Sequence, residues 1–305
     1  MHPSMIFLIM VAIICAAVVH GHPAASTPAA RFWEQALPGT PMPDAIADLV
    51  QKGIDQWPLL EHYSARPSVS VCALFHTTCP TSMVERTGLF FHKAQLRPGS
   101  TMTISLPAEA EPAILPHDVA DKVPFENLGD VLATFGIPPG SVEADQVGDT
   151  LRSCQAPPLA GEQKSCTTSL ESTVQSAMDM LGTGGASVLA ATSVPPTAGL
   201  PDQLYEVQAV TALNGAGYLA CHKMPFPYAV YQCHMSSRRG YKAYVVSLRG
   251  LDEEVKATML VICHHDTSNW NPAHPAFEIL RTQPGGNPVC HFVPSGNLVF
   301  IKKIA

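Results

Sequence analysis

The chain has 305 residues, 46% hydrophobic and 14% charged, enough apolar material for one or two domains with a full core. Its formal charge of −7 excludes a basic nucleic-acid binder and argues against an anionic membrane as the main partner.

Met5 to Val19 is an unbroken apolar run of fifteen residues, shorter than the ~20 needed to span a bilayer and placed where a secretory leader belongs. We read residues 1–21 as a signal peptide, with Gly21, Ala24 or Ala25 before the cut, so that no membrane segment remains in the mature chain. Cleavage removes Cys15 and leaves Cys72, Cys79, Cys154, Cys166, Cys221, Cys233, Cys263 and Cys290. An even count in an oxidising compartment makes all eight disulfide candidates, and counting leaves their connectivity open.

Residues 22–88 read as an N-terminal segment and linker. Pro43 and Asp44 open a helix carrying Ala45, Ile46, Leu49 and Val50, which Gly53 is expected to end. From Ile54 to Arg86 no period is sustained, which suits a linker or a processed segment. The main domain, 89–305, begins near Leu89-Phe90-Phe91, with a strand expected over Thr101 to Leu106.

A short helix is predicted between Phe125 and Phe135, stopped by Gly136 ahead of Pro138 and Pro139. The clearest helix follows: Thr168 and Glu171 have capping-box spacing, Leu170, Val174, Ala177, Met178 and Leu181 share one face, and Gly182 is the stop. From Tyr205 onward runs such as YEVQAV, YAVYQC, AYVVSL, TMLVIC and LVFIKKI alternate with Gly, Pro and Asn. The fold class is therefore α+β, with a β-rich, mostly antiparallel and disulfide-stapled C-terminal part and one or two helices in the first half of the domain. No internal repeat points to a propeller or solenoid.

Four Cys-His dipeptides carry the chemistry: Cys221-His222, Cys233-His234, Cys263-His264 and Cys290-His291, separated by 10, 28 and 25 residues. Familiar structural zinc sites place paired ligands two to five residues apart, which adjacent Cys and His do not match. On a strand, neighbouring side chains point to opposite faces, so each dipeptide sends sulfur one way and imidazole the other. The sulfurs then pair as disulfides, and His222, His234, His264 and His291 are left as candidate metal ligands. Imidazoles suit copper, zinc or nickel, of which copper(II) binds most tightly at a given site. The plainer alternative is four core histidines bonded to backbone carbonyls. His265, His274 and His92 rank below the four as added ligands, and His62 and His76 fall in the irregular segment.

The pattern CH-x10-CH-x28-CH-x25-CH resembles the signature of the plant BURP-domain family. The flanking text agrees in FFHKAQLRPGSTMTISLP, CQAPPLAGEQKSCTTSLESTVQSAMDMLG, CHKMPFPYAVYQCH and CHHDTSNWNPAHPAFEIL, from Leu89 to the C-terminus. FWEQALPGTPMP is similar to a piece that precedes the domain in dehydration-responsive relatives. The gap of 28 is slightly long, and His265 stands where relatives commonly carry a small polar residue. The resemblance implies a Cys154–Cys166 pair and a secreted plant protein of the apoplast or cell wall, the vacuole being the other destination.

Two functions are implied. One is a noncatalytic, copper-binding wall protein of development or stress, contacting pectin or polygalacturonase. The other is an autocatalytic copper-dependent cyclase that oxidatively joins a Tyr or Trp to another residue of its own N-terminal peptide. That bond removes two hydrogens and needs a redox-active metal, which zinc is not. Gln56 to Tyr63 is the candidate core, with Trp57 and Tyr63 as substrate aromatics; its bland reading is a linker whose Trp57 and Leu59 dock on the domain. No Ser-His-Asp order, phosphate loop, dinucleotide fingerprint or HExxH helix offers another catalytic route.

Overall fold

The computed structural model describes residues 26–56, 80–108, 111–236, 240–252 and 254–304. The expected signal peptide, Trp57, Tyr63, His62, His76, Cys72 and Cys79 lie outside the described residues, as does the candidate core beyond Gln56.

Thr27 caps α1 (Pro28–Ala36) by accepting the Ala30 N–H, with Pro at the first helical position, where its missing N–H costs nothing. α1 buries Trp33, whose indole N–H donates to the Thr40 carbonyl. α2 (Asp44–Gln56) runs three residues past the expected stop. Gly53 serves close approach instead: a Cβ there would collide with the Ile114 carbonyl, so a bare backbone lets helix and chain touch. The expected linker is helical again at α3 (Thr81–Arg86), leading into β1 (Phe90–His92) and β2 (Thr101–Pro107).

A helical layer follows: α4 (His117–Ala120), α5 (Leu128–Thr134) and α6 (Val142–Gln155). Gly136 after α5 takes the left-handed conformation that the stop signal implied, at φ 62°. β3 (Glu162–Thr167) leads into α7 (Leu170–Leu181), which buries Leu170, Val174, Ala177 and Leu181 as its period required. Its cap lies one residue beyond the expected Thr168: Ser169 and Ser172 exchange the reciprocal bonds, because Thr167 and Thr173 bond each other and hold the preceding residues on the strand.

The remaining strands are β4 (Val188–Ala191), β5 (Gly199–Leu213), β6 (Gly217–Met224), β7 (Val230–Ser236), β8 (Tyr241–Gly250), β9 (Lys256–His264), β10 (Val289–Val293) and β11 (Leu298–Lys302). The short α8 (Pro275–Ile279) lies between β9 and β10. The strands form two sheets, ordered β1-β10-β9-β8-β5-β2 and β3-β7-β6-β11-β4, and the ladders between these strands are antiparallel. Ala220, Val299 and Ile301 of the smaller sheet meet Ala243, Leu260, Ile262 and Val293 of the larger across a shared core. The outer face of the smaller sheet is covered by Trp33, α2 and α7. The outer face of the larger is covered by a cluster with Val84, Phe91 and Phe277. The α+β, disulfide-stapled expectation therefore holds, with four helices among the described residues, α4 to α7, in the first half of the domain where one or two were expected. Among the described residues no helix is long and apolar enough to cross a membrane.

Candidate metal centre

Strand alternation sets the geometry. On β6, Leu219 and Cys221 face the outer core, while Ala220 faces the opposite sheet and His222 follows it. β9 and β10 repeat this: Val261, Cys263, Cys290 and Phe292 face outward, and Ile262 and Val293 inward, on the faces of His264 and His291. Sulfurs and imidazoles thus occupy separate layers, as the dipeptides implied.

Pairing register does the rest. Cys221 lies directly opposite Cys233, and Cys263 directly opposite Cys290, and both pairs are disulfides with Cα–Cα separations of 3.9 and 4.0 Å. Each imidazole is one residue beyond its cysteine on antiparallel strands, so the two histidines of a pair are diagonal neighbours on the inner face. His222 and His234 have ring centroids 5.3 Å apart, and so do His264 and His291. Across the sandwich, His222 meets His291 at 5.8 Å and His234 meets His264 at 6.4 Å. The four imidazoles close a ring, two edges within sheets and two between them. A third disulfide among the described residues, Cys154–Cys166, ties α6 to β3.

The hydrogen-bond partners favour Nε2 as the inward donor on two rings. His291 Nδ1 lies 2.8 Å from the Phe292 carbonyl, so Nδ1 carries the proton and donates. His234 Nδ1 lies 2.5 Å from the Glu162 carboxylate, which requires the same tautomer of a neutral ring. His264 and His291 face each other through Nε2 at 3.2 Å. Two nitrogens bound ~2.0 Å from one tetrahedral ion would be ~3.3 Å apart. His264 Nδ1 is buried without a hydrogen-bond partner.

His222, His264 and His291 are 3%, 2% and 1% exposed, which seals that part of the ring from water. Burial, and then the neighbouring imidazoles, hold His222 and His264 well below the usual histidine range. Burial brings His291 down to about 4 against the opposing bond to Phe292. Neutral imidazole is the form that coordinates metal. Burial alone would raise Glu162, but its hydrogen bond with His234 holds it below the usual carboxylate value.

The His234–His264 edge is the partly open one. Tyr241, directly opposite His264 on β8, packs edge-on to it at 4.6 Å, and Trp270 does the same at 4.7 Å. Tyr241 is half-buried, and burial and Glu162 push its ionisation up. Among the lower-ranked histidines, His274 caps α8 and packs on Trp270, His92 caps a turn at Lys93–Gln95, and His265 follows β9, half-buried. None of these three completes the ring. Glu162, Tyr241 and Trp270 were not singled out from sequence. Trp270 carried one faint signal, as one of three tryptophans, standing six residues beyond the third Cys-His pair.

No group of three described His, Cys, Asp or Glu side chains is already arranged as a ligand set, so binding an ion requires the two histidine pairs to draw inward. The donor chemistry fits: four imidazoles gathered behind a sealed wall, with the Nε2 atoms of His264 and His291 facing each other, are a nitrogen set that suits copper or zinc.

A family model described as BURP domain matches residues 89–302. The chain is 41% identical over 257 residues to BURP domain-containing protein 13 of Oryza sativa subsp. japonica, covering 82% of this chain and 61% of that protein. It is 39% identical to Protein RAFTIN 1A of Triticum aestivum, covering 80% and 63%, and 36% identical to BURP domain protein RD22 of Arabidopsis thaliana, covering 70% and 55%. The matched region thus spans about three-fifths of the first two relatives. With its four Cys-His pairs folded into two disulfides and a ring of imidazoles, this chain belongs to the plant BURP-domain family.

Proposed function

We propose that this chain is a copper-binding protein of the plant apoplast or cell wall, acting in development or stress. The observation that carries the metal reading is the closed ring of His222, His234, His264 and His291 at centroid separations of 5.3 to 6.4 Å. These four residues would hold the ion, which when bound supplies Lewis acidity and one-electron redox chemistry. Cross-strand disulfides behind each pair support a site built for an oxidising compartment. Pectin or a polygalacturonase is the wall partner we propose, by family analogy. Neither nucleic acid nor membrane is needed.

The test is a copper(II) titration of the metal-stripped mature chain beside a variant with all four histidines replaced by Ala. Wild type is expected to hold about one copper per chain, with nitrogen couplings in its electron paramagnetic resonance spectrum. The variant is expected to keep its disulfides and lose tight copper. Stoichiometric copper retained by the variant would refute the site.

One observation favours the autocyclase as a second reading. Thr81 of α3 hydrogen-bonds Glu278 of α8, whose cap His274 packs on Trp270, and Trp270 packs in turn on His264. The helix that follows the candidate core in sequence is thus linked, through α8 and Trp270, to the partly open edge of the ring. Dioxygen would accept the two hydrogens lost when an aromatic of Gln56 to Tyr63 is joined to another residue. After copper loading in air, reduction and alkylation, tandem mass spectrometry should find a loss of about 2 Da, one H2, confined to that segment. An unmodified segment in copper-loaded protein leaves the binding reading alone.

A further inference from the structure

We infer that Glu162 is a positioning residue that locks His234 with Nδ1 protonated and Nε2 turned toward the centre of the imidazole ring. This rests on the four-histidine reading and goes beyond it by assigning a role to a residue outside the Cys-His pairs.

The strand register brings the two together. β3 pairs with β7 so that Lys164 lies opposite His234 and Glu162 opposite Ser236, which puts Glu162 on the inner face, diagonal to His234. The His234 Nδ1 to Glu162 Oε1 distance is 2.5 Å, and the two side chains are only 17% and 16% exposed. Tyr241 closes the arrangement from the other sheet, its hydroxyl 3.3 Å from the same nitrogen.

Comparison of the four rings shows why a carboxylate is placed here. His291 is oriented by the carbonyl of its own neighbour, Phe292, a partner that backbone supplies without any particular side chain. His234 sits at the partly open edge, where water could compete for Nδ1 and let the ring turn. A carboxylate accepts more strongly than a carbonyl and outcompetes water in a half-buried site. Such partners of a ligand's second nitrogen fix its tautomer and orientation and raise its basicity.

The structure also anchors Glu162 itself. Its N–H donates to the Leu159 carbonyl, Lys164 donates to the Ser153 carbonyl, and Cys154–Cys166 ties β3 to α6. A disulfide outside the histidine pairs thus holds the strand that carries their carboxylate.

The test begins on the metal-free wild type. Long-range proton–nitrogen NMR should show His234 as the Nδ1–H tautomer, and an Nε2–H tautomer would overturn the inference. Glu162→Gln, nearly the same shape, should mix the tautomers, weaken copper(II) binding by about 10- to 100-fold and alter the nitrogen couplings of the bound ion. The fold and its disulfides should be retained, with a modest fall in the thermal midpoint from the lost carboxylate bond. Unchanged affinity and couplings in Glu162→Gln would also overturn it. A wild type that binds no copper sinks the metal reading, and the tautomer measurement still judges Glu162 separately.

Discussion

Acidifying the metal-free protein from pH 7 to pH 4 is expected to remove on the order of 3 kcal/mol of folding stability through His291 alone. In the unfolded chain this imidazole titrates near 6.5, and in the fold burial brings it to about 4. Between those values the unfolded state binds the extra proton, so stability falls as pH falls; below about 4 both states are protonated and the loss levels off. His222 and His264 are lowered in the same direction, by burial first and their neighbours second, and steepen the loss. Glu162 has the opposite chemistry but the same sign: a depressed carboxylate stabilises above its ordinary value and stops doing so as it is protonated, lower in the range. Urea unfolding at intervals between pH 7 and pH 4 measures the slope, and His291→Gln should flatten it. A stability independent of pH from 7 to 5 would mean these imidazoles are not held neutral inside the sandwich.

Much of this site was legible in the sequence because strand alternation is a period of two, and adjacent Cys and His must then separate. The same simplicity made α7 readable, its apolar residues recurring on one face up to Gly182. What escaped depends on contacts between distant segments. Gly53 reads locally as a helix stop, yet its role is set by the Ile114 backbone some sixty residues on. The helix Val142–Gln155 has Gly148 in its middle and acidic residues spread through it, so no single apolar stripe marks it. Glu162 is an unremarkable acid until β3 pairs with β7, and Tyr241 is one strand aromatic among several until β8 pairs with β9. Sequence could say that four imidazoles share a chemistry; only topology says that two sheets bring them edge to edge.

Replacing Cys263 and Cys290 together by Ala is expected to cost about 3 to 4 kcal/mol and to weaken copper binding more than the corresponding change at Cys154 and Cys166. The stability term follows from chain entropy: a cross-link between residues 27 apart removes about 3.6 kcal/mol of freedom from the unfolded chain, against about 2.9 for residues 12 apart. The two losses are therefore similar, and stability alone cannot separate the disulfides. Copper binding can. Cys263–Cys290 pins β9 to β10 in the one register that places His264 and His291 on the inner face, and a slip by one residue would turn one of them into the outer core. Cys154–Cys166 acts on the site only through β3 and Glu162. Paired urea unfolding and copper titration of both double variants test this, and equal losses of affinity would show that the cross-strand disulfides staple the fold without setting the imidazoles. The expected inequality would mean that each Cys-His dipeptide works as a unit, the sulfur holding the register from one face so that the imidazole meets its partners on the other.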